Sequence, residues 1–199
     1  MSIDVRVPFV IVCACALAAC STTRGGLAYT PSNSLIREAP TATVSVTAGR
    51  FTDLRGNDDN QWIGAIRNGW GIPVKNVDVT PSVSAVVQKA FAAGLRARGF
   101  ATSGGTPYRI SGIVKRLDAN QLVRLDANAE VEVNVVKVST GKEVFSHTYS
   151  AHNLEGSLLT LHAGYFGSET KLRALAQKTL DEVVNEALDD SKLRDAIRQ

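Results

Sequence analysis

The sequence predicts an α+β domain of two layers, in which two amphipathic helices pack on one face of a mainly antiparallel β-sheet. Two segments carry apolar residues at the spacing of a helix, and several others alternate between apolar and polar residues, as strands do. Strict alternation is typical of an antiparallel sheet with one face in water and the other under helices. The predicted order is strand, helix, strand, strand, strand, helix.

The first half of the folded part is expected to contain one strand and one helix. Residues 43–51 alternate between polar side chains and valine or alanine, which predicts the first strand. Residues 56–73 are predicted as a loop with large apolar side chains, and 75–79 as a short extended piece. Thr80, as an N-cap before a proline, should begin the helix, and Gly99 should end it in a left-handed cap.

The second half of the chain predicts three antiparallel strands. A strand over 108–116 should turn near 118–120 into the clearest strand of the chain, 121–138, in which apolar and polar residues alternate. Residues 139–142, with the sequence Ser-Thr-Gly-Lys, are expected to form a hairpin turn into a third strand over 143–151. These three strands would form a meander.

A last helix follows an apolar connector over 154–167. Ser168 should cap this helix, whose apolar stripe runs from Leu172 to Leu188. Residues 191–199 are expected either to add a short helical turn or to fray.

Near the amino terminus, residues 17–20 have the sequence Leu-Ala-Ala-Cys, which has the form of a bacterial lipoprotein lipobox. Secretory cleavage sites need small residues before the cut, and the apolar run over 7–17 is too short to span a bilayer. By resemblance to lipoprotein precursors, cleavage would follow Ala19, and Cys20 would receive a diacylglyceryl group on its sulfur and an acyl chain on its new amino group. Several acyl chains would make this membrane anchor effectively permanent.

The anchor motif divides the chain into three parts. Residues 1–19 are predicted as a signal peptide, 20–40 as the lipidated cysteine with a flexible tether, and 41–199 as a single periplasmic α+β domain. The residue after the cysteine is Ser21 and not an aspartate. This resembles the sorting pattern that implies transfer of a lipoprotein to the outer membrane in diderm bacteria. We therefore expect a lipid-anchored outer-membrane protein that faces the periplasm.

Composition narrows the classes of function. The formal net charge of +3 is too small to argue for a nucleic-acid partner. All three cysteines lie within the first 20 residues, so the mature domain would have neither a disulfide nor a cysteine metal site. His147 and His152 would lie on opposite faces of one strand and could not share a metal ion. No cofactor, metal site or enzymatic activity is expected.

Several short motifs of the folded part resemble one known family. They are a valine-rich first strand leading into Phe51, Asp53 and Arg55, the Ile63-Gly64 pair, the helix end at Leu95, Gly99 and Phe100, and the Ser-Thr-Gly-Lys turn. Together they resemble the YajG family of lipoproteins over most of residues 41–188. The resemblance implies the fold and the location at the membrane rather than an activity. The layout is also similar, at the level of fold, to auxiliary lipoproteins of envelope lipid-transport systems.

Three groups of residues are candidate sites. Asp53 and Arg55 are expected to form a structural pair that braces the following loop, or else to bind a charged partner. Trp62 and Trp70 are either buried at the edge of the core or exposed as anchors for a partner. The apolar connector either covers the end of the sheet or forms an acyl groove or docking patch. Its large apolar residues are Leu158, Leu159, Leu161, Tyr165 and Phe166.

These observations predict a non-enzymatic interaction or accessory module of the cell envelope, attached to the membrane through lipid on Cys20. Its partner would be an envelope protein, bound by the segment 62–70 or by the connector. The alternative is a lipid-binding auxiliary component of an envelope lipid-transport system, in which the helices and the connector frame a groove for an acyl chain.

Overall fold

The computed structural model describes residues 25–31, 45–102, 105–156 and 168–198. Within these ranges the chain forms a six-stranded sheet and three helices, which confirms the predicted α+β class. The elements in chain order are β1 (Val46–Asp53), β2 (Trp62–Arg67), β3 (Pro73–Asp78), α1 (Val83–Ala97), β4 (Tyr108–Gln121), β5 (Leu125–Lys137), β6 (Lys142–Glu155), α2 (Glu169–Asp189) and α3 (Ser191–Ala196).

β4 is the central strand of the sheet, whose order is β3-β2-β4-β5-β6. One edge of β4 pairs with β5 in the antiparallel direction, and β6 continues the meander. The other edge is shared by two parallel strands, because β1 pairs with residues 108–114 and β2 with residues 119–121. β1 and β2 therefore lie end to end, with a short gap between them.

The helices cover one face of the sheet, and the apolar residues of both layers form a continuous core. α1 packs on β1, and α2 packs on β5 and β6. The rings of Phe51 and Phe91 stack across the two layers with their centroids 4.8 Å apart. The other face of the sheet carries polar, partly exposed side chains. In the described ranges, no helix has both the length and the hydrophobicity needed to cross a bilayer.

Two predicted helix ends are confirmed. Gly99 has a φ of 78°, and the Phe100 N–H donates to the Leu95 carbonyl at 3.1 Å, as in a Schellman cap. The Ser168 hydroxyl accepts a hydrogen bond from the Lys171 N–H and so caps α2. Both ends follow from local chemistry, since each needs only residues that are neighbours in the sequence.

The predicted start of α1 is wrong. The helix begins at Val83 with Ser82 as its N-cap, two residues after the expected N-cap at Thr80. The Val83 N–H donates to the Asn60 carbonyl at 2.8 Å. A contact with a distant loop therefore satisfies one of the N–H groups that have no partner within the first turn of a helix.

The segment 56–73, predicted as a loop, contains β2 and the start of β3. The four central residues of β2 are all buried, so this strand shows no alternation of apolar and polar residues. Gly64, with a φ of 155°, lets the backbone of β2 approach β4, because a Cβ atom there would lie 1.6 Å from the Ala119 carbonyl oxygen. Pairing with a distant strand, rather than a local pattern, therefore defines β2.

The predicted hairpin turn near 118–120 is also wrong. β4 continues to Gln121, and residues 122–124 form the turn into β5. Asp118 and Asn120 lie on the polar face of β4, and Val123 is exposed in the turn. Residue types that favour turns here occupy strand positions in contact with water, so composition alone placed the turn too early. β6 likewise runs to Glu155, beyond the predicted end at residue 151.

Residues 25–31, which belong to the range expected to be a tether, lie along α2. Arg173 donates to the Gly25 carbonyl at 2.9 Å, and the Ala28 N–H donates to the Gln177 side chain. Further along, the Thr30 N–H donates to Asp181 at 3.3 Å. This segment therefore runs in the same direction as α2, with its amino-terminal end near the start of the helix.

Candidate interaction surface

Arg55 lies in the gap between β1 and β2, at the edge of β4. Its guanidinium group donates to both carboxylate oxygens of Asp53 at 2.9 Å. The same group donates to the carbonyls of Trp62 at 2.7 Å and Leu117 at 3.0 Å. The Arg55 side chain is only 5% exposed. One guanidinium group therefore joins three strands, and Asp53 balances its charge in a partly buried position.

A hollow of about 620 Å³ opens on the polar face of the sheet beside Arg55. Trp62, which is half-buried at the start of β2, forms part of its wall. The bulge in β4 after Val114 exposes both Lys115 and Arg116 at this position. The other lining residues are Gly56, Asn57, Asp58, Leu117, Asp118 and Asn120.

Charged side chains around this hollow are held in pairs. Lys115 lies 2.8 Å from Glu132, and Arg116 donates to Asp118. The hydrogen bond to Asp118 raises the pKa of the Arg116 guanidinium above its ordinary value, so this group stays cationic. Fixed, paired charges and an aromatic wall suit recognition of a partner. Among the described residues, no group of three or more histidine, cysteine, aspartate or glutamate side chains could hold a metal ion.

A second hollow, of about 360 Å³, lies on the same face where β1 and β4 begin to pair. Arg50 and Arg109 line it, and neither has a carboxylate partner in the part of the chain that the structure describes. In the sequence, Leu54 lies between Thr52, which lines the smaller hollow, and Arg55, which lines the larger one. Its side chain is 62% exposed. The face therefore combines apolar and aromatic side chains with uncompensated positive charge.

Trp70 lies away from both hollows, at the turn between β2 and β3. The Asn68 side chain accepts hydrogen bonds from the N–H groups of Trp70 and Ile72 at 3.0 Å each. Arg67 donates to the Gly71 carbonyl at 3.1 Å. Backbone and polar contacts therefore close the turn, and the Trp70 side chain is 89% exposed. The two tryptophans, predicted on one loop, lie at opposite ends of β2.

Several predicted site residues lie outside the described residues. They include the acylation and cleavage positions Cys20 and Ala19, and the connector residues Leu159, Tyr165 and Phe166. The hollow beside Arg50 and Arg109 was not predicted from the sequence. Alternation places Arg109 on the polar face of β4, but continued from Val46 and Ala48 it would place Arg50 on the apolar face of β1. The irregularity in β1 between Ala48 and Phe51 turns Arg50 to the polar face, and the parallel pairing of β1 with β4 brings the two arginines to one hollow.

The chain matches a family model described as uncharacterized lipoprotein over residues 37–198. This match confirms the resemblance to lipoproteins predicted above, without naming the YajG family. No curated protein matches the sequence significantly.

The chain is similar to several solved structures at low sequence identity. Protein XCC0632 from Xanthomonas campestris is 13% identical, with 82% of this chain and 89% of that chain covered and a TM-score of 0.58. The PelC dodecamer from Paraburkholderia phytofirmans is 15% identical, with 73% and 89% covered and a TM-score of 0.44. A minor lipoprotein from Acinetobacter baumannii is 10% identical, with 78% and 96% covered and a TM-score of 0.43. The first of these supports the fold described above.

Proposed function

The chain belongs to a family of uncharacterized lipoproteins, and we propose that it is a non-enzymatic interaction module held at the periplasmic face of the outer membrane. Its attachment would be lipid on Cys20, after cleavage at Ala19. The Leu-Ala-Ala-Cys sequence and the following Ser21 support this address. The partner would be an envelope protein that binds the exposed polar face of the sheet.

One observation carries this proposal: the two hollows of about 620 and 360 Å³ lie on the face of β1 and β4 opposite the described helices. Trp62 supplies an aromatic wall in the larger hollow, and Leu54 supplies exposed apolar surface near it. Interfaces are typically dominated by a few aromatic and arginine side chains in such positions. This face therefore offers a partner an aromatic side chain to pack against and two hollows to fill.

Charge indicates the chemistry of that partner. Arg50 and Arg109 line the smaller hollow without a carboxylate among the described residues, whereas Lys115 and Arg116 are already paired. An acidic segment of a partner protein would satisfy the two unpaired arginines. We therefore propose that the partner presents carboxylates to this end of the face, where opposite charge increases the rate and the specificity of association.

Photo-crosslinking in intact cells tests the proposal. A photoreactive residue in place of Trp62 should form a discrete adduct with one envelope protein, and the same residue in place of Arg96, which is exposed on α1 in the helical layer, should not. Adducts with lipid alone at position 62 would favour the lipid-binding alternative instead.

Charge reversal then tests the acidic partner. The double variant Arg50→Glu, Arg109→Glu should lose most of the adduct formed at position 62. Lys89→Glu is the matched control, because Lys89 is exposed on α1, on the other side of the domain. An adduct that survives the double variant, or that is lost equally in the control, would contradict an electrostatic contact at this hollow.

A further inference from the structure

We infer that one end of the domain lies against the phospholipid surface to which the protein is anchored, with Trp70 and Ile72 at the boundary between headgroups and acyl chains. This end, called the anchor end below, consists of the turn 68–72 with the first residues of β3, the turn 122–124, the last residues of β6 and the first turns of α2. The inference rests on the proposed anchor at Cys20, and it adds an orientation on the membrane.

Strand pairing brings the parts of the anchor end together. β2 runs parallel to β4, with Ile66 opposite Gln121, so the turns that follow these two strands lie at the same end of the sheet. Leu154, near the end of β6, is opposite Asp126 at the start of β5. The Lys75 ammonium group lies 2.7 Å from a carboxylate oxygen of Glu169, which brings the start of α2 to the same end.

The position of residues 25–31 places the proposed lipid anchor at Cys20 near this end. The Gly25 carbonyl accepts a hydrogen bond from Arg173, near the start of α2, and residues 25–31 run from there toward the other end of the helix. Cys20 precedes Gly25 by five residues, which span at most about 18 Å. The acyl chains on Cys20 are therefore confined to the neighbourhood of the anchor end.

Exposed apolar side chains are concentrated at the same place. Six of the nine large exposed apolar residues in the described ranges lie there, with Trp70 89% and Ile72 59% exposed. The six are Trp70, Ile72, Val74, Leu122, Val123 and Leu154. Tryptophan favours the membrane interface, where its ring meets acyl chains and its N–H stays near water and headgroups. Contact with a bilayer would bury these side chains without further folding.

The charges of the anchor end suit phospholipid headgroups. Arg124 in the turn after β4 and Lys171 in the first turn of α2 have no carboxylate partner among the described residues. Lys75 and Arg173 share one carboxylate, Glu169. Basic side chains beside an apolar tip are typical of surfaces that bind anionic lipid. A bilayer therefore matches both the apolar and the charged parts of this end.

Tryptophan fluorescence tests the orientation, because the chain contains only Trp62 and Trp70. The lipidated protein is purified from membranes and reconstituted into vesicles of phosphatidylethanolamine and phosphatidylglycerol, in which part of the phospholipid carries brominated acyl chains. Bromine quenches tryptophan only at contact. The variant Trp62→Phe, which retains Trp70, should lose much of its emission in brominated vesicles, and Trp70→Phe, which retains Trp62, should not.

The outcomes separate the orientation from the anchor. Protein that fails to float with the vesicles would overturn the lipid anchor and this inference together. Protein that floats while Trp70 is not quenched, or while both tryptophans are quenched equally, would overturn the orientation and leave the anchor intact. If Trp62→Phe does not fold, quenching of the unmodified protein beyond that of Trp70→Phe reports on Trp70.

Discussion

The two ends of β2 carry the same kind of side chain in opposite environments. At its start, Trp62 is half-buried beside Arg55. The Arg55 guanidinium group donates hydrogen bonds to the Trp62 carbonyl, to the Leu117 carbonyl in β4 and to the Asp53 carboxylate. Beyond the end of β2, Trp70 is 89% exposed on a turn that is closed by contacts of Asn68 and Arg67 within the turn itself. The first end is stabilised from within the domain, and the second contributes an aromatic ring that the domain does not bury.

This difference indicates where stability and binding are located. A change at the start of β2 should reduce the free energy of unfolding, because contacts among three strands depend on it. A change at the turn should leave that free energy nearly unaltered and alter only what the protein contacts outside itself. The following substitutions test that division.

The largest expected effect is that of Arg55→Ala. It removes four hydrogen bonds and leaves the Asp53 carboxylate, which is 15% exposed, without its partner. Breaking a buried ion pair in this way costs about 3–5 kcal/mol of unfolding free energy. Urea unfolding of the protein in detergent, followed by circular dichroism, measures the loss.

Arg116→Ala is the control for that measurement, because the Arg116 side chain is 53% exposed and also pairs with an aspartate. Exposed pairs contribute about 1 kcal/mol or less. Equal losses of unfolding free energy in the two variants would show that the Arg55–Asp53 pair contributes no more than an exposed ion pair. The contrast between the two ends of β2 would then disappear.

Gly64→Ala should have the next largest effect. The added Cβ would lie 1.6 Å from the Ala119 carbonyl oxygen, so β2 would have to move away from β4. Overpacking of this kind typically costs about 1–3 kcal/mol. Gly69→Ala, in the turn, meets no atom within 4 Å and should change stability by less than about 0.5 kcal/mol. A larger loss at Gly69 in the same unfolding assay would reverse the comparison.

The tryptophans themselves provide a smaller effect. Trp62→Ala should lower the unfolding free energy by about 1 kcal/mol, because the substitution removes the part of the indole ring that is buried. Trp70→Ala should lower it by less than about 0.5 kcal/mol, since the ring is exposed. Thermal unfolding of both variants in detergent is the measurement, and a clear loss for Trp70→Ala would mean that the turn is packed against the protein.

The last comparison concerns the docked segment 25–31 and depends on pH. Burial raises the pKa of Asp181 from 3.8 to about 6, although hydrogen bonds from Gln177 and from the Thr30 N–H favour the charged form. A raised folded-state pKa means that the folded protein binds this proton more tightly than the unfolded chain. The contribution of Asp181 to stability is therefore present at low pH and is lost as the pH rises from about 4 to about 6.

Asp181→Asn isolates that contribution. The difference in unfolding midpoint between the variant and the unmodified protein should change across this pH range, in favour of the variant at higher pH. A difference that stays constant from pH 4 to pH 7 would contradict the raised pKa and its origin in the burial of the Asp181 carboxyl group.

Much of the fold could be predicted from local patterns. The stripes of α1 and α2, the cap at Gly99 and the cap at Ser168 depend on residues within a few positions of one another, and each was confirmed. The alternation of β5 gave its buried and exposed faces for the same reason. For the site, the sequence identified Asp53, Arg55 and the two tryptophans as residues to examine, without their relative positions.

The sequence by itself determined the apolar stripes of both long helices, the end of α1 at Gly99, the start of α2 at Ser168 and the presence of an amino-terminal Cys20 motif, because these depend on near neighbours. Only the tertiary structure decided that β1 and β2 share one edge of β4, that Arg55 fills the gap between them, and that Trp62 and Trp70 have opposite environments. The physical reason is that burial and pairing depend on which distant residues lie alongside. For β2, those residues follow more than fifty positions later in the chain, at Ala119–Gln121.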